Sequence, residues 1–87
     1  MSTFFFIKGA RILDPATQTD AVRDLFIQNG VMAPVPATLP AETVVMDAHG
    51  LAAVPGLIDL HVHLREPGNE AAETVASGCL AAARGGF

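Results

Sequence analysis

The 87-residue sequence contains no Trp, no Tyr and a single Cys. One cysteine excludes an intrachain disulfide framework, which agrees with a reducing compartment. Five Lys and Arg residues stand against nine Asp and Glu, for a net charge of −4. This balance argues against nucleic acid and against an anionic membrane surface as partners. No apolar run approaches the roughly 18 residues of a membrane span, and no basic region marks a signal peptide. We therefore expect a cytoplasmic protein.

Residues 1–53 are predicted to form a small antiparallel β unit. TFFFIKGARILDP predicts two short strands on either side of Lys8-Gly9. Asn29-Gly30 between two apolar runs predicts a hairpin. The proline-rich PVPATLPAE predicts an irregular connection, and TVVMDAHG predicts one further short strand.

Residues 54–87 have a different pattern. LIDLHVHL predicts a strand, REPGN a turn, and EAAETVASGCLAAARGG a helix with Cys79 packed on its apolar face. Glu70 and Glu73 are predicted near the helix start, where the helix macrodipole favours negative charge. Gly85 is predicted as the C′ residue beyond the helix end. Strand, loop and helix form the first part of a βαβ unit, and the parallel strand that should follow is missing. We therefore expect a fragment of a larger α/β protein, which needs its missing residues or another chain to be stable.

Polar side chains occupy every second position of IDLHVHLREPG: Asp59, His61, His63 and Arg65. On a strand, His61 and His63 point the same way and can converge on one metal ion, whereas a helix would separate them by about 200°. A half-exposed antiparallel strand also alternates in this way. A strand that leads into a helix, however, belongs to a parallel sheet covered on both faces, where polar groups gather at the carboxyl ends of the strands. The pattern therefore predicts His61 and His63 as metal ligands.

The other two polar residues have two interpretations each. Arg65 can form a surface ion pair with Glu66 or Glu70, or its planar fork can bind a carboxylate beside the metal. Asp59 can orient an imidazole, or it can bond to neighbouring backbone, which is the interpretation that we favour. No function is assigned to His49.

VPGLIDLHVHLREPG resembles the signature of the metal-dependent amidohydrolases, and most closely that of the dihydroorotases. The pattern Asp-x-His-x-His-x-Arg-x-Pro is matched without a gap from Asp59 to Pro67. The resemblance implies a (β/α)₈ TIM barrel with a small β-sandwich domain. Residues 1–53 would be the N-terminal part of the sandwich, and residues 54–87 the first barrel strand and helix.

The resemblance also implies the chemistry. His61 and His63 would bind one zinc ion of a site that holds one or two, and Arg65 would hold the substrate carboxylate. The implied reaction interconverts N-carbamoyl-L-aspartate and dihydroorotate in de novo pyrimidine biosynthesis. The general base and the remaining ligands would lie beyond Phe87. No catalytic residue is therefore expected in this chain, which by itself would be inactive.

Two other functions stay open at this point. Hydantoinases and allantoinases share the barrel and the histidine pair, and Arg65 favours a carboxylate substrate over theirs. The second alternative is a catalytically inactive dihydroorotase-like subunit that serves as a structural partner of aspartate transcarbamoylase; His61, His63 and Arg65 argue against it. The expected partners are a small-molecule substrate, further copies of the chain in a homo-oligomer, and aspartate transcarbamoylase.

Overall fold

The computed structural model describes residues 3–87, which divide between Pro55 and Gly56 into two compact units. The first unit, called the β unit below, holds a five-stranded sheet. The second, called the histidine unit below, holds a loop segment and one helix. The fold is thus a small mixed sheet and one helix, and each unit is described by itself.

The longest strand of the β unit is β1, Phe4–Asp14, which pairs antiparallel with β2, Thr19–Gln28. The sequence predicted two strands, one on either side of Lys8-Gly9, but the structure has one strand in this region. A single strand runs through, with a break in its register between Ile7 and Ala10. Gly9 has φ of +74°, so the chain bulges at this point and pairing with β2 resumes beyond it.

The predicted hairpin at Asn29-Gly30 is confirmed. These two residues connect β2 to β3, Val31–Ala33, and their φ angles are +51° and +79°. Positive φ at both central residues is what a type I′ turn requires, and the twist of this turn matches that of the strands it joins.

The last two strands correct the prediction of an antiparallel unit. β4, Val44–Asp47, and β5, Ala52–Ala53, both pair parallel to β1. The irregular connection is confirmed, since residues 34–43 form no strand, and it carries the chain from β3 to the opposite side of β1 in the order β3-β2-β1-β4. A parallel neighbour needs such a crossover, whereas a tight turn can only make an antiparallel one.

The core of the β unit is small. Its buried apolar residues are Ala10, Phe26 and Ala48, and the ring of Phe26 stacks on Phe4 with centroids 6.0 Å apart. Large side chains on the outer strands stay exposed, among them Val31, Val44 and Met46.

In the histidine unit, the prediction that LIDLHVHL forms a strand is wrong. Residues 57–64 form no strand, and the chain bends at Leu60 and His61. A strand needs a neighbour to bond with its N–H and C=O groups. Between Ile58 and Leu64, no backbone-to-backbone hydrogen bond is formed with any described residue. The apolar positions of this segment are correspondingly exposed, with Leu60 at 94 %.

The predicted helix is present as α1, Val75–Arg84, and it begins later than the Ala- and Glu-rich segment suggested. Thr74 caps it: the Thr74 hydroxyl accepts from Ser77 N, and the Ser77 hydroxyl accepts from Thr74 N. Glu70 and Glu73 therefore precede the helix, and its first turn contains no acid. Side-chain bonds from Thr and Ser to the first free N–H groups decide where a helix begins.

Two further expectations for α1 are corrected. The helix C-cap is Gly85 with φ of −89°, and the positive φ that favours glycine occurs one residue later, at Gly86. Cys79 was expected to be packed, but it is exposed. The one buried residue of this helix is its neighbour Gly78. An apolar helix face is buried only where another element covers it, which the pattern of one helix cannot establish.

The length of α1 can be compared with the thickness of a membrane. Ten helical residues rise roughly 15 Å, about half of the hydrocarbon thickness of a bilayer. Within residues 3–87, no helix is long and apolar enough to cross a membrane.

Candidate metal centre

The imidazoles of His61 and His63 lie together in the histidine unit. Their Nε2 atoms are 3.0 Å apart, and the ring centroids are separated by 4.9 Å with planes tilted by 44°. The alternation was expected to place both rings on one face of a strand. The segment bends at His61, yet the i, i+2 spacing still brings the two Nε2 atoms to a common point.

This distance fits a metal ligand pair. Two nitrogens bound to a tetrahedral zinc at roughly 2.0–2.1 Å are about 3.3 Å apart, close to the 3.0 Å found here. Neutral imidazole nitrogen is a ligand that zinc prefers. When no metal lies between them, the same distance is a hydrogen bond in which one ring donates and the other accepts.

The pair supplies only part of a coordination shell. Among the described residues, no group of three or more His, Cys, Asp or Glu side chains is arranged to hold a metal ion. A structural or catalytic zinc takes three or four protein ligands. The remaining ligands of a site at His61 and His63 would therefore come from other residues or from another chain.

The Asp59 side chain contacts the backbone at His61. Its Oδ1 accepts a hydrogen bond of 3.1 Å from the backbone N of His61. The side chain thus fixes the chain where it bends, and within the described residues it bonds to neither ring. This contact stabilises the turn that presents His61.

Arg65 follows the two histidines, and its side chain is exposed. Neither Glu66 nor Glu70 forms an ion pair with it, and no other described residue does so. Its backbone N donates to Glu73 Oε2 at 3.3 Å. The guanidinium, with five donors in a rigid fork, is therefore available to a planar carboxylate.

Carboxylates organise the loop after Arg65, a role that was not predicted from the sequence. Glu66 Oε2 accepts from Val75 N at 2.7 Å, at the first residue of α1, where a negative charge is favoured. Glu70 accepts from Gly68 N, and this bond, followed by the backbone N–H of Glu70 itself, lowers the pKa of the Glu70 carboxyl. The one signal available in the sequence was Thr74-x-x-Ser77, a capping-box spacing that places the helix start.

The third histidine belongs to the β unit. His49 Nδ1 pairs with Asp47 Oδ1, and the His49 ring covers Gly9. This pairing lowers the pKa of Asp47, first through the backbone N–H of His49 and then through its ring. His49 therefore has a local structural contact in its own unit.

Several known proteins are similar to this chain. The family model described as "Dihydro-orotase-like" matches residues 50–87. A dihydroorotase of Solibacter usitatus is 52% identical over 93% of this chain, and one of Elusimicrobium minutum is 44% identical over 95%. A dihydroorotase of Anaeromyxobacter dehalogenans is 48% identical over 100% of the chain. The chain spans about a fifth of the length of these curated relatives. The matched residues include the whole Asp59–Pro67 motif, and the chain belongs to the dihydroorotase family.

Proposed function

We propose that the full-length protein is a zinc-dependent dihydroorotase that interconverts N-carbamoyl-L-aspartate and dihydroorotate in de novo pyrimidine biosynthesis. The observation that carries the proposal is the 3.0 Å distance between His61 Nε2 and His63 Nε2 inside the segment that the family model matches. The curated relatives that match the chain are named dihydroorotase. The proposal includes a (β/α)₈ barrel, a small β-sandwich domain and a cytoplasmic location.

The residues of this chain have distinct tasks in the proposal. His61 and His63 present neutral nitrogens to one zinc ion, and Asp59 holds the backbone bend that presents His61. Bound zinc would lower the pKa of a coordinated water to near 7 and polarise the ring amide carbonyl. The Arg65 guanidinium would bind the substrate carboxylate through two parallel N–H bonds, which fixes the orientation of the substrate ring.

The other parts of the reaction lie outside these 87 residues in this proposal. A general base and further ligands are needed, because two imidazoles fill only half of a tetrahedral shell. The isolated chain is therefore proposed to be inactive. A homo-oligomer and an association with aspartate transcarbamoylase remain predictions.

The proposal is tested on the full-length protein by metal analysis and turnover. We expect one or two zinc ions per chain, turnover of dihydroorotate, loss of turnover on chelation, and recovery when zinc is added. Hydantoin and allantoin are assayed beside dihydroorotate, and preferred turnover of either would indicate the alternative cyclic amidohydrolases. Full activity in metal-free protein would contradict the proposal, and zinc-loaded protein without any turnover would indicate the inactive structural subunit.

A further inference from the structure

We propose that Glu73 is a positioning residue for substrate binding, and that it acts by holding the backbone of Arg65. This inference rests on the proposed function, in which the Arg65 guanidinium binds the substrate carboxylate. Among the described residues, Glu73 forms no hydrogen bond with His61 or His63, and the proposed function gives it no part in the chemistry.

The first observation is the contact between these two residues. Glu73 Oε2 accepts from Arg65 N at 3.3 Å, a bond that joins residues eight positions apart across the loop. The bond leaves the guanidinium free, because it uses the main chain of Arg65. A carboxylate acceptor makes a stronger bond than a neutral acceptor does. Glu73 thus restrains the direction in which the Arg65 side chain leaves the backbone.

The second observation is the position of the Glu73 carboxyl. Glu73 as a residue is half-buried, and it lines an open groove of the histidine unit whose walls are mostly apolar, including Leu57, Val62, Leu64 and Ala82. A carboxylate among aliphatic side chains needs a hydrogen-bond partner, because burial without one is costly. Within the described residues, its hydrogen-bond donor is Arg65 N.

The third observation is a glycine inside α1. A Cβ on Gly78 would lie 2.6 Å from Leu64 Cδ2 and 2.8 Å from Glu73 Oε1. Glycine inside a helix costs about 1 kcal/mol relative to alanine, and the space it leaves is filled by these two side chains. Leu64 directly precedes Arg65. The helix surface at Gly78 therefore contacts both the residue before Arg65 and the carboxylate that holds its amide.

Glu73→Ala, Glu73→Gln and Gly78→Ala in the full-length protein test the inference. Glu73→Ala is expected to raise KM for dihydroorotate roughly ten-fold, the effect of one hydrogen bond to a charged group. Glu73→Gln keeps an acceptor oxygen and should recover about half of that loss on a logarithmic scale. Gly78→Ala improves helix propensity but displaces the carboxyl, so KM should rise while the thermal midpoint does not fall. In all three variants, kcat and zinc content are expected to stay close to those of the wild type.

Two matched controls separate positioning from general effects. Glu70→Gln changes a carboxylate of the same loop that bonds to Gly68, and Gly85→Ala adds a methyl to a helix-end glycine with only ordinary contacts, the nearest at 3.5 Å. Both should leave KM unchanged. An equal rise of KM in these controls would overturn the inference.

A readout that is independent of activity is hydrogen exchange at the Arg65 amide. Exchange should become faster in Glu73→Ala and in Gly78→Ala, and stay unchanged in Glu70→Gln. If wild-type protein does not turn over dihydroorotate, the proposed function fails, and exchange still decides whether Glu73 holds Arg65. Unchanged exchange in Glu73→Ala, or unchanged KM in an active enzyme, would overturn the inference.

Discussion

The β unit and the histidine unit satisfy their backbone polar groups in different ways. In the β unit, strands bond to strands around β1, which has partners on both sides. In the histidine unit, α1 bonds within itself, and the loop before it contains three carboxylates between residues 66 and 73 that accept backbone N–H groups. The β unit has such acceptors as well, for example Asp24 for Gly9 N, but there they add to strand pairing. The β unit also has a small apolar core, whereas Gly78 is the one buried residue described in the histidine unit.

The two units differ in what their residues contribute: those of the β unit stabilise the fold, and those of the histidine unit carry the chemical groups. A sheet provides its own hydrogen-bond partners, so its strands are determined by pairing and by a few buried side chains such as Phe26. Among residues 3–87, the segment with His61, His63 and Arg65 has no strand partner, and hydrogen bonds from its backbone N–H groups to the side chains of Asp59 and Glu73 hold it in place. Substitutions of buried residues in the β unit should therefore change stability, and substitutions of His61, His63 or Arg65 in the histidine unit should change activity.

The largest effect is expected for His61→Ala in the full-length enzyme. Losing the metal removes several kcal/mol of transition-state stabilisation, or about a 10⁴-fold fall in turnover of dihydroorotate. Zinc content should fall with it. The matched control is His49→Ala, a histidine of the β unit paired with Asp47, which should keep both zinc and turnover. Comparable loss in the two variants would break the comparison between the units.

Phe26→Ala should give the largest loss of stability. Phe26 is 3 % exposed and stacks on Phe4, so truncation should lower the free energy of unfolding by about 3–5 kcal/mol. Val22 lies on the same strand and is 68 % exposed, so Val22→Ala should change it by about 0.5 kcal/mol or less. Denaturant titrations of the full-length variants measure both values. Equal losses would mean that the exposed face of this sheet is covered in the full-length protein.

Arg65→Lys should affect substrate selection. The ammonium keeps the charge but loses the fork, and we expect turnover of dihydroorotate to fall by about 10²-fold. Turnover of a neutral cyclic amide such as hydantoin should change little. The control in the β unit is Arg11→Lys, which should leave turnover unchanged. Arg11 forms an exposed bidentate pair with Asp20 at 2.7 and 2.8 Å, and exposed ion pairs contribute little to stability. Equal losses on both substrates would refute the role of Arg65.

Gly9 and Gly78 offer a comparison of glycines between the units. A Cβ at Gly9 would clash with the His49 ring, and the φ of +74° at this position strains a residue with a side chain. Gly9→Ala should therefore lower the free energy of unfolding by about 1–3 kcal/mol, whereas Gly78→Ala should not lower it. Adding His49→Ala to Gly9→Ala should recover part of the loss. A double variant as unstable as the single one would show that backbone strain alone accounts for the effect.

The smallest expected effect is the pH dependence of the β unit. The N–H groups of His49 hold the pKa of Asp47 below its ordinary value of 3.8, and the Arg11 guanidinium does the same for Asp20. Because the folded protein binds these protons less readily than the unfolded chain, the contribution is present above about pH 4 and is lost as pH falls through the folded-state pKa values. Thermal midpoints between pH 7 and pH 2 should fall less in Asp47→Asn than in the wild type. Identical slopes would show that this pair does not stabilise the sheet.

Local signals in the sequence predicted much of the β unit. Asn29-Gly30 predicted the hairpin, because Asn and Gly adopt positive φ with little strain. Lys8-Gly9 marked the place where β1 changes register. The parallel pairing of β4 and β5 with β1 was not predicted, because the partner of a strand beyond a ten-residue connection depends on contacts distant in sequence.

The sequence determined less of the candidate site's surroundings. The His-x-His spacing placed both imidazoles within reach of one ion, and the prediction of the strand that was meant to carry them was wrong. The start of α1 was misplaced, because the Thr74 cap outweighed the acids before it. The exposure of Cys79 was not predicted. An apolar face in the sequence indicates which side of a helix can be buried, but not whether another element covers it.

By itself, the sequence determined the chemistry that this chain carries: two imidazoles at i, i+2, a guanidinium two residues later, and the turn residues of the sheet. Chain connectivity fixes such short-range relations, since neighbouring residues cannot move far apart. Only the tertiary structure decided that β1 lies between β2 and β4, that the carboxylate of Glu73 holds the amide of Arg65, and that Gly78 makes room for it. These contacts join residues that the sequence separates, and their formation depends on which groups find a hydrogen-bond partner or a covered surface once the chain has folded.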